Sequence, residues 1–387
     1  MKKFCRMISV ALLLSILASV CFGSMSVQAA VAKTDSGKVY IGTRLESDDG
    51  VYSFDLGDGF SWSYNTKTLT LEINGKGNFP VPIYNVFASA ERQLFTRTRP
   101  WTEHYTTIHI NDGITDVEFC DGLVEIDIDR LPDTLILGKD YKGTEQKVIT
   151  ELRFQEPNME YRVSPDNPYY ASYDGVLYTK GYKELIHCPR QKNSIKFHPN
   201  TQVIKEWAFD HTSIASPIVF PWGLQKIEAP VFNNRVDIVT VVMPDTLLPG
   251  QRTGALKTTL YCSTKKQADI VPFQSSSYDV CIVDDKKTYD YYGVKPNSLH
   301  TFENGKTYFF GPNYEYAKGW KQASGNWYYF NDYGAAVVKI WLKSGNKWYF
   351  MQADGTMATN KWIQWYNKWY YVGSDGAMYA NRSEERR

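Results

Sequence analysis

The chain has 387 residues, with 43 Lys+Arg against 42 Asp+Glu and a formal charge of +1. That balance gives no electrostatic drive toward nucleic acid or an anionic membrane, and 22% charged residues beside 28 Tyr, 19 Phe and 11 Trp exclude general disorder. The length allows two or three domains, and an aromatic load this high at neutral charge points to stacked β structure or carbohydrate-type recognition surfaces rather than an α/β enzyme.

The opening segment reads as an export signal. Lys2, Lys3 and Arg6 form a basic start, Ile8 to Phe22 an apolar core of 15 residues, too short to span a bilayer comfortably. Small residues around Ala29 offer a cleavage point, so residues 1–29 are expected to be removed. Their loss takes three cations and no acid and moves the net charge from +1 to −2. No later stretch is long and apolar enough for membrane insertion, so the mature chain is expected outside the cell. Export permits disulfides. Cys120, Cys188, Cys262 and Cys281 then remain, widely spaced and without a CxxC pair, which argues against zinc. Their spacing decides neither among the three pairings nor between bridges and buried thiols.

Residues 30–107 read as a β-rich leader, with Leu69, Leu71 and Ile73 alternating in a run that starts at Trp62. Beyond it a period of 23 sets in. Ile195, Ile218 and Val241 recur at that distance, as do Ala208-Phe209 and Val231-Phe232, Pro221 and Pro244, and Leu224 and Leu247. Pro132-Asp133-Thr134-Leu135 and Pro244-Asp245-Thr246-Leu247 are one tetrapeptide. A short strand with apolar residues at fixed offsets in a period of 20–29 marks a leucine-rich repeat, whose copies bury their apolar faces only by stacking.

The residues here resemble the BspA-like bacterial leucine-rich repeat family. Ile227-x-x-x-Val231-Phe232 and Val241-Val242-Met243-Pro244 match its repeat core. Asn167 to Pro189, with Asp174-Gly175-Val176-Leu177-Tyr178 and Leu185-Ile186, is similar to its hairpin island. Gly75-Lys76-Gly77 and Pro100-Trp101 are similar to the end of its leader. The resemblance covers residues 50–283. It implies a leucine-rich-repeat solenoid over 108–283 that displays a surface to an extracellular or host protein. Residues 137–166 fit the repeat poorly and are expected to interrupt it. Leu260-Tyr261-Cys262, a short helix near Lys265 to Val271, and Val280-Cys281-Ile282-Val283 read as the C-terminal cap, and the charged, Tyr-rich stretch 284–298 as a linker.

The last part of the chain keeps a period of 21. Trp320, Trp341 and Trp362 form one column, Trp327, Trp348 and Trp369 a second, Tyr328, Tyr349 and Tyr370 a third, and Gly334, Gly355 and Gly376 a fourth. Gly305-Lys306-Thr307-Tyr308-Phe309-Phe310 is a degenerate upstream copy. Each unit reads as a hairpin: a Trp-Tyr-Tyr/Phe strand, a turn at Asp354-Gly355 or Asp375-Gly376, and a short strand returning to the next Trp. One hairpin buries too little alone, so successive hairpins must stack.

Gly319-Trp320 followed by Gly325-Asn326-Trp327-Tyr328-Tyr329-Phe330 and Gly334 resembles the cell-wall-binding, or choline-binding, repeat of Gram-positive surface proteins. The resemblance covers 299–381 and implies aromatic cages between hairpins. One would hold Trp327, Trp341 and Tyr349, the next Trp348, Trp362 and Tyr370. The implied ligand is a cell-wall polymer, through teichoic acid choline held by cation–π contact or through a polysaccharide ring stacked on the same faces. The sequence departs from the family where Phe350 replaces a Tyr and Thr307 a Trp. The Trp columns could also serve only to stack the hairpins.

No catalytic constellation stands out. None of the six His has ligand spacing to another, and there is no GxSxG, HExxH or Gly-rich phosphate loop. Asp127 and Asp129 share a strand face and read as solvated. No catalytic residue, metal or cofactor is therefore expected, and the polar tail 382–387 offers no covalent anchor. The expectation is a mainly β, exported, non-catalytic surface protein: β-rich leader, leucine-rich-repeat solenoid, then a β-hairpin solenoid that holds the wall. The alternative is a secreted carbohydrate-binding protein whose aromatic repeats recognise a glycan other than its own wall.

Overall fold

The computed structural model describes residues 26–33, 39–46, 50–65, 67–79, 107–116, 134–143, 160–189, 192–209, 212, 214, 217–228, 231, 240–249, 259–270 and 280–379. Most of the expected signal, Cys120, Asp127, Asp129 and the polar tail lie outside them. The described residues are mainly β, with two short helices among them, α1 (Lys265–Ile270) and α2 (Asp285–Tyr291).

Five antiparallel strands open an eight-stranded sheet: Ser26–Lys33, Val39–Glu46, Val51–Gly57, Phe60–Asn65 and Thr70–Asn74. The first runs across the expected cleavage point at Ala29. The sheet then turns parallel. Leu71 pairs with Ile108, Ile108 with Leu135 and Leu135 with Tyr161, and all four are buried. Leader and repeats thus share one sheet, with no boundary at residue 107. Residues 160–163, expected to fall in an interruption, add a further parallel rung because Tyr161 supplies the buried ring that the column needs. Leu69, expected to alternate inward, instead sits in the preceding turn at φ +52°.

The island over 167–189 is a meander of Tyr170–Tyr173, Val176–Thr179 and Glu184–His187. Its first turn, Asp174-Gly175, has φ of +54° and +74°, the two-residue geometry that matches strand twist. The third strand starts a parallel ladder, Leu185 to Ile204 to Ile227. A second ladder runs Ile218, Val241, Leu260, Cys281. The steps 204 to 227 and 218 to 241 are the 23-residue period. The two ladders share one core, where the rings of Phe197, Phe209 and Phe220 meet at 5.7–6.3 Å and Cys188 and Cys262 are both buried. The Pro-x-x-Leu element is a turn: Leu224 donates to the Pro221 carbonyl at 3.1 Å and Leu247 to that of Pro244 at 3.3 Å. Thr246 ties neighbouring turns, accepting from Gly223 N at 3.0 Å and donating to the Leu224 carbonyl at 2.8 Å.

His187 is fully buried, and its Nδ1 lies 2.8 Å from the Tyr161 hydroxyl. Burial lowers its pKa from 6.5 to about 4. The unfolded chain therefore takes up the proton first, and stability that is complete above pH 6.5 is lost as pH falls toward 4. Between pH 7 and pH 5 this one group should cost about 2 kcal/mol. Urea unfolding of the parent and of His187→Asn at both pH values checks it: the parent should lose more on acidification, and equal losses would overturn the assignment.

The stretch 284–298 is not a linker but a folded joint. Asp284 caps α2, its carboxylate accepting from Lys287 N at 2.8 Å. Tyr289 and Val294 are buried. Trp222, only 4% exposed, reaches out of the repeat core and stacks on Phe302 of the tail at 4.1 Å and 5°. Tyr289, Tyr292, Tyr308, Phe310 and Tyr316 surround it. Asp245, from the Pro-Asp-Thr-Leu turn, accepts hydroxyl hydrogens from Tyr289 at 2.6 Å and from Tyr316 and Ser263. Tyr292 donates to the Phe220 carbonyl at 2.9 Å, and Asn304 to that of Trp222 at 2.6 Å. Tyrosine makes this possible, since its ring fills a core while its hydroxyl meets a polar partner; the same residues read along the chain look like solvated spacer.

Candidate functional site

Four hairpins follow the joint: Ser298–Thr301 with Thr307–Phe310, Gly319–Ala323 with Asn326–Phe330, Ile340–Ser344 with Lys347–Met351, and Lys361–Trp365 with Lys368–Val372. Their pairing differs from the expected one. Each Trp-Tyr-Tyr/Phe strand pairs backward with the strand before it. The two-residue turns lie at Ser324-Gly325, with φ of +49° and +79°, and at Tyr366-Asn367, with +47° and +61°. The Asp-Gly turns belong to the connecting loops. Asp354 accepts from Thr356 N at 3.0 Å and from its hydroxyl at 2.7 Å, and Asp375 accepts from Ala377 N at 3.1 Å. These contacts hold the Asp354 carboxyl below the ordinary range; Lys347, 2.9 Å from Asp375, does the same there.

Those loops stitch the stack. Ala336 N donates to the Thr307 carbonyl at 2.8 Å, Met357 N to Trp327 at 2.7 Å and Met378 N to Trp348 at 2.8 Å. Strand alternation sorts the side chains. Tyr308, Phe310, Tyr328, Phe330, Met351 and Val372 turn inward and are buried. Trp327 and Trp348 turn outward, 42% and 40% exposed.

The backward pairing regroups the expected cages. Trp320 faces Trp327 of its own hairpin at 6.4 Å and Tyr349 of the next at 5.1 Å. One hairpin on, Trp341, Trp348, Trp365, Tyr370 and Met378 line an open cavity of about 240 Å³, with Trp341 and Tyr370 at 5.4 Å and 66°. Of the residues expected in the first cage, Trp327 and Tyr349 lie together, while Trp341 moves to the second. Trp348 and Tyr370 lie together as expected. Trp362 joins neither and packs on Tyr371 at 5.3 Å. The sequence reading missed Trp320, Trp365 and Met378. A usable signal was present: Ser324-Gly325 and Gly345-Asn346 each sit two residues long between aromatic strands, which is itself a hairpin mark. The first hairpin forms no such cage, because Leu299 and Thr307 stand in its Trp columns.

The second cage offers ring faces and a thioether, with no ionised side chain among the lining residues. Such a lining attracts a cation through ring quadrupoles or stacks a sugar through its apolar face. Among the described residues no group of three His, Cys, Asp or Glu could hold a metal, and no helix is long and apolar enough to cross a membrane.

Tyr366 holds a left-handed conformation at φ +47° while 87% exposed. A bulky side chain there costs about 1 kcal/mol, so Tyr366→Gly should raise thermal stability by roughly 0.5–1 kcal/mol. Unchanged or lower stability by calorimetry would show that the Tyr366 ring contributes packing, such as its 5.3 Å contact with Trp365.

The family described as "Putative cell wall binding repeat" matches residues 318–336, 340–357 and 360–378. No curated protein matches the chain. Among solved structures, the choline binding domain of Spr1274 from Streptococcus pneumoniae is 37% identical over 17% of this chain and 97% of its own, with a TM-score of 0.16. Choline binding protein F of the same organism is 32% identical over 23% of this chain and 30% of its own, TM-score 0.20. The choline-binding domain of CbpL, also pneumococcal, is 39% identical over 16% and 34%, TM-score 0.14. This chain thus spans about a third of the length of the latter two. Residues 318–378 carry three cell wall binding repeats of the choline-binding type.

Proposed function

We propose that the chain is an exported surface protein that its tail holds non-covalently on the cell wall, and that residues 108–283 are displayed for recognition rather than catalysis. One observation carries the reading: the cavity walled by Trp341, Trp348, Trp365 and Tyr370, within a register that recurs every 21 residues. Its rings suit the choline of a wall teichoic acid, which would be held by cation–π contact and released reversibly. The parallel rungs 23 residues apart, on two ladders around one core, support a leucine-rich-repeat solenoid upstream. Its partner class is an extracellular or host protein, met by adhesion.

The test is retention of the full chain on purified wall fractions, with and without free choline. Binding that choline releases supports the ammonium reading. Binding that choline leaves intact but soluble wall polysaccharide releases assigns the cages to sugar. No retention on any wall fraction overturns the proposal.

A further inference from the structure

The tail's two cages differ in one column, and the difference bears on the wall-ligand reading just given. The last residue of the leading strand is Ser344 in the third hairpin and Trp365 in the fourth, 21 residues on. In the first cage Ser344 adds no ring. Its hydroxyl accepts from Nε1 of Trp320 at 3.0 Å, so the rings there are Trp320, Trp327 and Tyr349. In the second cage Trp365 is a lining residue beside Trp341, Trp348 and Tyr370.

We propose that the two cages are unequal sites, and that Trp365 makes the second the tight one. The fourth wall is braced. Phe350 meets Trp341 at 5.2 Å and Trp365 at 5.5 Å, so one ring holds two walls. The second and fourth hairpins have Tyr329 and Tyr371 at this column, and the first, which forms no cage, has Phe309. A Phe here places no hydroxyl needing a partner between two indoles. The departure at Phe350 and the extra ring at Trp365 are therefore one device.

An added ring face acts in two ways. It contributes another cation–π contact, and it excludes water that would weaken the other three.

The experiment is calorimetric titration of the full chain with choline. The parent should show two classes of site about tenfold apart in affinity, the increment of one desolvated contact. Trp365→Ser should abolish the tight class and leave two weak sites. Ser344→Trp should tighten the weak class while leaving the tight one present. Circular dichroism establishes that each variant is folded, and Ser344→Trp keeps the proposal testable if loss of the Phe350 contact unfolds Trp365→Ser. Two equal sites in the parent, or a tight class that survives Trp365→Ser, would overturn the inequality alone. A parent chain that binds no choline would remove the ammonium reading of the cages as well.

Discussion

Trp222→Ala should separate the melting of the repeat part from that of the tail. In the parent, Trp222 is buried among rings from the joint and the tail and stacks on Phe302 at 4.1 Å. Removing a buried Trp costs about 3–5 kcal/mol in lost transfer and cavity terms. The loss falls on the surface that joins two otherwise local stacks. Stacked rungs propagate order mainly to their neighbours, so the joint is where cooperativity passes from one stack to the other. Calorimetry of the full chain should show one coupled transition for the parent and two for the variant, with the tail melting at the lower temperature. Asp245→Asn gives an independent check, because it weakens the hydroxyl cluster with Tyr289, Tyr316 and Ser263 without opening a cavity. A Trp222→Ala chain that melts as the parent does would show that the joint carries no coupling.

Trp341→Ala should weaken binding of choline at the second cage by tenfold or more, while Trp362→Ala leaves that site within about twofold. A desolvated cation–π contact is worth ~1–2 kcal/mol, which is roughly tenfold. The pair of variants decides between two groupings of the same residues. Pairing along the sequence puts Trp362 in a cage with Trp348 and Tyr370; the backward hairpin puts Trp341 there instead and sets Trp362 against Tyr371. Trp341 also packs on Phe350 at 5.2 Å, so circular dichroism must show a folded variant before affinities are compared. The opposite pattern, loss with Trp362→Ala and none with Trp341→Ala, would overturn the structural grouping. Because the rings carry no net charge, binding should also survive 0.5 M salt better than an ion-pair site would, given a Debye length of only several ångströms there.

The 21-residue columns and the 23-residue spacing were legible in the chain itself. Side chains that repeat at a fixed distance must occupy equivalent places in a stack, whatever its detailed path, so Trp327 and Trp348 could be placed on one face from spacing alone. The alternation of Leu71 and Ile73 likewise marked one face, which the fold buries. Hairpin register was different. Both Ser324-Gly325 and Asp354-Gly355 are competent turns, and only the hydrogen-bond ladder between Gly319–Ala323 and Asn326–Phe330 selects the first. A shift of pairing by one strand leaves every column intact but exchanges cage partners, which is why Trp341 and Trp362 change places while Trp327 stays with Tyr349 and Trp348 with Tyr370. The joint was decided by tertiary structure for a related reason. Tyr289 and Tyr292 are polar enough to read as spacer, and their burial depends on Trp222 and Asp245, some 44 to 70 residues earlier in the chain. Local composition records what a residue tolerates; which neighbour meets it is fixed only when distant coils pack.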